Sequence, residues 1–121
     1  MAITKASNGI EGRGNLNTYT QASAADTAAT TSTDGGQVEK LLFVTVKYSA
    51  APTQTGVTVT INSVTGAAYD TVLSTGSANV QANSYIPAGE VILYPGDTVD
   101  VVAPAAGGVI TSAAAIYTEA L

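Results

Sequence analysis

Between Ile86 and Pro104 the chain reads Ile-Pro-Ala-Gly-Glu-Val-Ile-Leu-Tyr-Pro-Gly-Asp-Thr-Val-Asp-Val-Val-Ala-Pro, and this stretch restricts the fold more than any other. It holds two short apolar runs, Val91 to Tyr94 and Val99 to Val102, joined through Pro95-Gly96-Asp97. Each run is too short for a helix and rich in β-branched residues, which is how strands read. Pro95 fixes its own φ and lacks an N–H, Gly96 accepts a positive φ, and Asp97 can bond nearby backbone. The chain must turn sharply here and re-enter a sheet. Pro87-Ala88-Gly89 and Pro104 to Gly108 punctuate the two ends.

The same grammar recurs from Gln37 onward. Leu41 to Tyr48 alternates, with Leu42, Val44, Val46 and Tyr48 expected on one face and Phe43, Thr45 and Lys47 on the other. Val57, Val59 and Ile61 alternate with Thr58, Thr60 and Asn62, the pattern of a half-buried strand. Ala68 to Ser74, Val80 to Ile86, Val91 to Tyr94, Asp97 to Ala103 and Val109 to Thr118 complete the series. Ala113-Ala114-Ala115 does not make the last segment helical, because Val, Ile, Thr and Tyr flank it. About seven short strands separated by regular turn signals predict an all-β fold, an antiparallel β-sandwich of jelly-roll-like type.

Residues 1–36 differ. Thr, Ala, Ser, Asn and Gly dominate, and Ala22 to Gly36 contains no Val, Ile, Leu or aromatic residue. Such a segment cannot build a core of its own. The expected organisation is an extended N-terminal arm over 1–36 and a β-sandwich domain over 37–121. Two fates are open to the arm. It is held by something outside the chain, with Ile3, Ile10, Leu16 and Tyr19 as anchors, or it wraps its own sandwich as extra edge strands.

Length and composition narrow the function. At 121 residues a single core is the default. Only 11% of residues are charged, and the net charge of −5 leaves Lys5, Arg13, Lys40 and Lys47 as the only cations. Nucleic-acid binding needs clustered Lys and Arg to meet phosphates, so it is not expected. No run approaches a membrane span in length, and Met1 to Gly14 has no apolar core of signal-peptide type. Neither a membrane partner nor an export address is therefore expected. With so little charge to protect sheet edges, oligomerisation is.

Histidine and cysteine are both absent, which removes the commonest general base, the commonest nucleophile pairings and thiolate metal sites. Carboxylates remain. Asp97 and Asp100, approached by Glu90 or Asp70, would be the nucleus of an oxygen-ligand calcium site, which needs six to eight oxygens. Their offset of three residues places them on opposite faces of a regular strand, so Asp97 is read as closing a turn and Asp100 as a solvated strand residue. Gly9, Gly12 and Gly14 around Glu11 and Arg13 lack the strand and helix that a phosphate loop requires, and read as a bend. Arg13 is left as a candidate for an ion pair with a partner carboxylate. The six tyrosines are read first as core-edge packing, then as interface anchors, then as stacking platforms for sugars. Tyr48 and Tyr117 fall on core-like strand faces, and Tyr69 and Tyr85 are the candidates for exposed platforms. No catalytic residue, cofactor or metal ligand is assigned, and no enzymatic reaction is expected.

A resemblance enters on a set of segments taken in order. They are the Thr/Ala/Ser-rich N-terminal segment, Val57-Thr58-Val59-Thr60-Ile61, Tyr94-Pro95-Gly96-Asp97-Thr98-Val99 and a closing Ile116-Tyr117-Thr118-Glu119. Over residues 37–121 this resembles the small β-sandwich head decoration, or cement, proteins of tailed bacteriophages. The likeness is one of style, since a Pro-Gly-Asp turn before alternating Val also occurs in adhesin and sugar-binding modules. It implies a structural virion protein, made in the host cytoplasm and bound to the capsid exterior. The implied partners are the major capsid protein and two further copies in a homotrimer. Ile3, Ile10, Arg13, Leu16 and Tyr19 would then be the contacts of the arm with the shell. The rival reading is a carbohydrate-binding or host-recognition sandwich on a virion or cell surface.

Overall fold

The computed structural model describes residues 3–8, 15–53 and 56–121. The described residues form ten strands: β1 (Thr4–Asn8), β2 (Asn15–Ser23), β3 (Ala29–Ser32), β4 (Glu39–Tyr48), β5 (Thr58–Asn62), β6 (Thr71–Thr75), β7 (Ala82–Tyr85), β8 (Ile92–Leu93), β9 (Thr98–Ala103) and β10 (Ser112–Ala120). They make two antiparallel sheets, so the expected all-β sandwich is what the chain forms. The wider, curled sheet runs β1-β2-β10-β4-β7, with β8 also laid against β4. The narrower sheet runs β3-β9-β5-β6.

The core lies between the sheets and is aliphatic, as the composition requires. Leu41, Val44, Val46 and Ile116 face inward from the wide sheet, and Val57, Val59, Val99 and Val101 meet them from the narrow one. The strongest alternation in the sequence therefore marks true inward faces. Tyr48 is also buried, and its hydroxyl donates to the Pro104 carbonyl at 3.1 Å, linking the sheets.

Three expectations need correction. The first is the boundary at residue 36. Residues 15–32 hold two strands of the sandwich, and β2 lies inside the wide sheet between β1 and β10. The stretch from Ala22 to Gly36, which has no Val, Ile, Leu or aromatic residue, is held by its ladders to β10 and β9 and by buried Thr33, whose Oγ1 accepts from Val99 N–H at 3.1 Å, not by a core of its own. Of the two fates considered for this segment, the described residues follow the second, in which it joins its own sandwich. The second correction concerns β4. Its register against β10 shifts between Phe43 and Leu41, leaving Leu42 as the extra residue of a bulge. The bulge reverses the phase, so Leu41 and Glu39 point inward and Leu42 does not. Third, Ala67–Tyr69 is a short 3-10 turn, and the strand begun in the sequence at Ala68 starts at Thr71.

The Pro-Gly turn behaves as its residues dictate. Asp97 N–H donates to the Tyr94 carbonyl at 2.9 Å, with Gly96 at φ 95°. Asp97 Oδ1 then accepts from Val64 N at 3.0 Å, and Gly96 N–H donates to the Gly35 carbonyl at 2.8 Å. One turn thereby gathers the loop after β5 and the loop before β4.

Candidate functional site

Two surfaces have the character of binding sites. The first is the outer face of the wide sheet. The register fixes its rows: Ala22, Ala113, Lys47 and Ala82 lie side by side, then Thr20, Ala115, Thr45 and Ser84. The next row sets Thr18 beside Tyr117 and Tyr117 beside Phe43. The two aromatic rings stack at 4.2 Å between centroids with an interplanar angle of 18°, a packed pair standing on an otherwise low surface. Small side chains in the first two rows leave a shallow trough floored by Ala113 and Ala115 and flanked by Thr4 and Lys47. Lys47 is the one charged side chain in these three rows. The sheet's inner face is spent on the core, and this face is the one turned to solvent.

The second surface is the loop end around the Pro-Gly turn. Tyr69 and Tyr94 are 64% and 61% exposed there, beside Val64 at 65%. The nearby carboxylates brace the loops. Asp97 accepts from Val64 and Tyr94 backbone N–H, and Asp70 accepts from Ser63 N–H at 2.8 Å. At the opposite end Asp26 Oδ1 accepts from Gly107 N–H in the same manner. Asp100 takes Ser32, Asn62 and Thr98 side chains on the narrow sheet. The turn-closing reading of Asp97 holds, whereas Asp100 is half-buried and bonded. Among the described residues no group of three or more acidic side chains converges on one point.

The predicted anchors divide. Leu16 is 38% exposed on the outer face of β2, and Ile3 is 40% exposed just before β1. Ile10 and Arg13, with the glycine run, lie outside the described residues. Tyr19 is fully buried and is not available as a contact residue. Its hydroxyl sits 2.6 Å from Glu39 Oε1 and 3.1 Å from Asp34 Oδ1; with one proton to give, it donates along the shorter contact. Burial, the bond to Glu39 and the negative charges of Glu39 and Asp34 push the phenol pKa well above its usual value. Asn17 Nδ2 and Thr118 Oγ1 donate to the same Glu39 oxygen, each at 2.8 Å.

Asp34 is the surface end of this cluster. Partial burial would raise its pKa, but the Lys5 hydrogen bond, the Gly36 N–H and the Lys5 charge together bring it below the usual carboxylate value.

Of the other tyrosines, Tyr85 faces the core, so only Tyr69 of the two expected platforms is exposed. Tyr117, expected on a core-like face, lies on the outer face with Phe43. Neither Tyr94 as a platform nor Glu39 as a buried charge was singled out by sequence. The Glu39–Leu41 spacing, in phase beyond the bulge, was the available signal for Glu39.

No protein-family model matches the chain, and no curated protein is significantly similar to it.

Proposed function

We propose that this is a structural, non-enzymatic binding protein whose outer sheet face docks on an assembled protein shell, as a capsid decoration protein does. The observation that carries the reading is the face formed by β2, β10 and β4. It is broad and poor in charge, with a stacked aromatic pair at one end and a trough of small residues at the other. Protein interfaces favour aromatic anchors surrounded by uncharged contacts, while charged residues are depleted from their centres. A rigid antiparallel sheet presents such a surface with little to order on binding, which lowers the entropic cost of association. Binding only to the assembled shell would stabilise that state by mass action.

The test is co-sedimentation with emptied phage shells. The wild-type chain should pellet with shells, and Ala113→Arg, on the exposed trough floor, should stay in the supernatant while keeping its β-sheet circular dichroism. Pelleting of Ala113→Arg equal to wild type would sink the assignment of this face.

A second reading rests on Tyr69 and Tyr94, both exposed on loops braced by the Asp97 turn. Two aromatic faces at one loop end suit stacking against a sugar ring. Glycan-array binding lost in Tyr69→Ala and Tyr94→Ala, with shell binding intact, would favour it.

A further inference from the structure

We propose that β1 is an exchangeable strand, and that the β2 edge it covers accepts the β1 of a second copy of this chain. This goes beyond shell docking and does not depend on it. Among the described residues β1 is the edge strand of the wide sheet and its one ladder partner is β2, through the five residue pairs Thr4↔Thr20 to Asn8↔Leu16. Ile3 to Ser7 are all exposed, so these residues contribute nothing to the core. What holds it beyond the ladder is polar and specific. Lys5 Nζ lies 2.7 Å from Asp34 Oδ2 and 5.3 Å from the centre of the Tyr19 ring, and Ser7 Oγ donates to Asn17 Oδ1 at 2.7 Å.

These contacts define what the β2 edge accepts. It takes an extended strand with a cation opposite Tyr19 and, two residues on, a small hydroxyl opposite Asn17. The charge is complementary, because the acceptor carries Asp34 with Glu39 behind it. β1 of an identical chain supplies the required Lys-x-Ser in the same register. Every contact made within one chain is therefore available between two, which makes strand exchange a low-cost route to linked copies. The six intervening residues, 9–14, reach roughly 20 Å when extended, so the exchange requires a neighbour within that span. Such neighbours exist in an oligomer, where effective concentration replaces chain closure.

The chain has no cysteine, so an introduced pair gives a clean test. Ala6 and Thr18 face each other across the ladder on the outer side. The double variant Ala6→Cys, Thr18→Cys should, after mild oxidation and denaturation, run as covalent multimers that collapse to single chains on reduction. Adding Lys5→Glu should abolish the multimers, and Lys5→Arg should retain them. Covalent single chains with no free thiol would show the strand staying at home and overturn the proposal. So would thiols left free, or multimers at equal yield from either single-cysteine variant, which would mark random collision.

Discussion

The Tyr19 hydroxyl donates to Glu39 Oε1 across 2.6 Å, and both side chains are fully shielded from solvent. That oxygen also takes Asn17 from β2 and Thr118 from β10, so one carboxylate oxygen in β4 ties three adjacent strands of the wide sheet. Glu39 Oε2 has no hydrogen-bond partner among the described residues. A buried carboxylate is costly unless donors surround it, and here they concentrate on one oxygen.

Tyr19→Phe removes one of the three donors while keeping the ring. A hydrogen bond to a charged group contributes about 1.5–3 kcal/mol, and the variant should lose stability on that order. Urea unfolding measures it. Tyr117→Phe, on the outer face, should stay within about 0.5 kcal/mol of wild type. A loss in Tyr19→Phe that also stays within about 0.5 kcal/mol would show that its hydroxyl does not hold the cluster.

Alkaline pH should weaken the fold through the same residue. The Tyr19 pKa is raised in the folded state, so its contribution is complete below the unfolded value of about 10 and is lost as pH rises beyond it. Tyr48, raised by burial, acts in the same direction. Denaturation midpoints should fall above about pH 10, and fall less steeply in Tyr19→Phe. Parallel curves for the two proteins would contradict the assignment.

On the acid side the group to watch is Asp34, whose pKa is lowered when folded. Its contribution is present above the unfolded value of about 3.9 and fades as pH falls through the lower folded one. Lys5→Ala should blunt this acid sensitivity and raise amide exchange in β1. The pair is solvent-accessible, so the stability change at neutral pH should be about 0.2–1 kcal/mol and shrink with salt.

At Gly96, φ is 95°, and an added Cβ would lie 2.7 Å from Val64 Cγ2. Gly96→Ala should cost more than about 1 kcal/mol. Adding Val64→Ala should recover the steric part and leave the backbone part. Full recovery, judged by thermal unfolding, would show that φ at this turn is not restrictive.

Ile116 is fully buried on β10, between β2 and β4, whereas Val109 is 87% exposed. Ile116→Ala should cost about 2–5 kcal/mol. Val109→Ala should be near neutral in the same denaturation assay, within about 0.5 kcal/mol.

Much of the fold was legible because its signals are local. Val57-Thr58-Val59-Thr60-Ile61 can hide one face only as a strand, and Tyr94-Pro95-Gly96-Asp97 can only turn. The candidate surface was less legible. Leu16 read as an anchor and is exposed, but Tyr19, three residues on in the same strand, is a buried donor to Glu39. Apolar content alone does not separate a residue that reaches out from one that closes its own core.

The sequence by itself determined the all-β class, the Pro-Gly turn and most of the aliphatic core, because period-two alternation and Pro-Gly chemistry act over a few residues. Only the tertiary structure decided that β2 lies between β1 and β10, that the bulge at Leu42 turns Glu39 inward, and that Phe43 and Tyr117 meet on the outer face. Those outcomes depend on which strands pair and in what register. Pairing is set by hydrogen bonds and packing between segments as far apart as Ser23 and Ser112, whose hydroxyls meet at 2.6 Å.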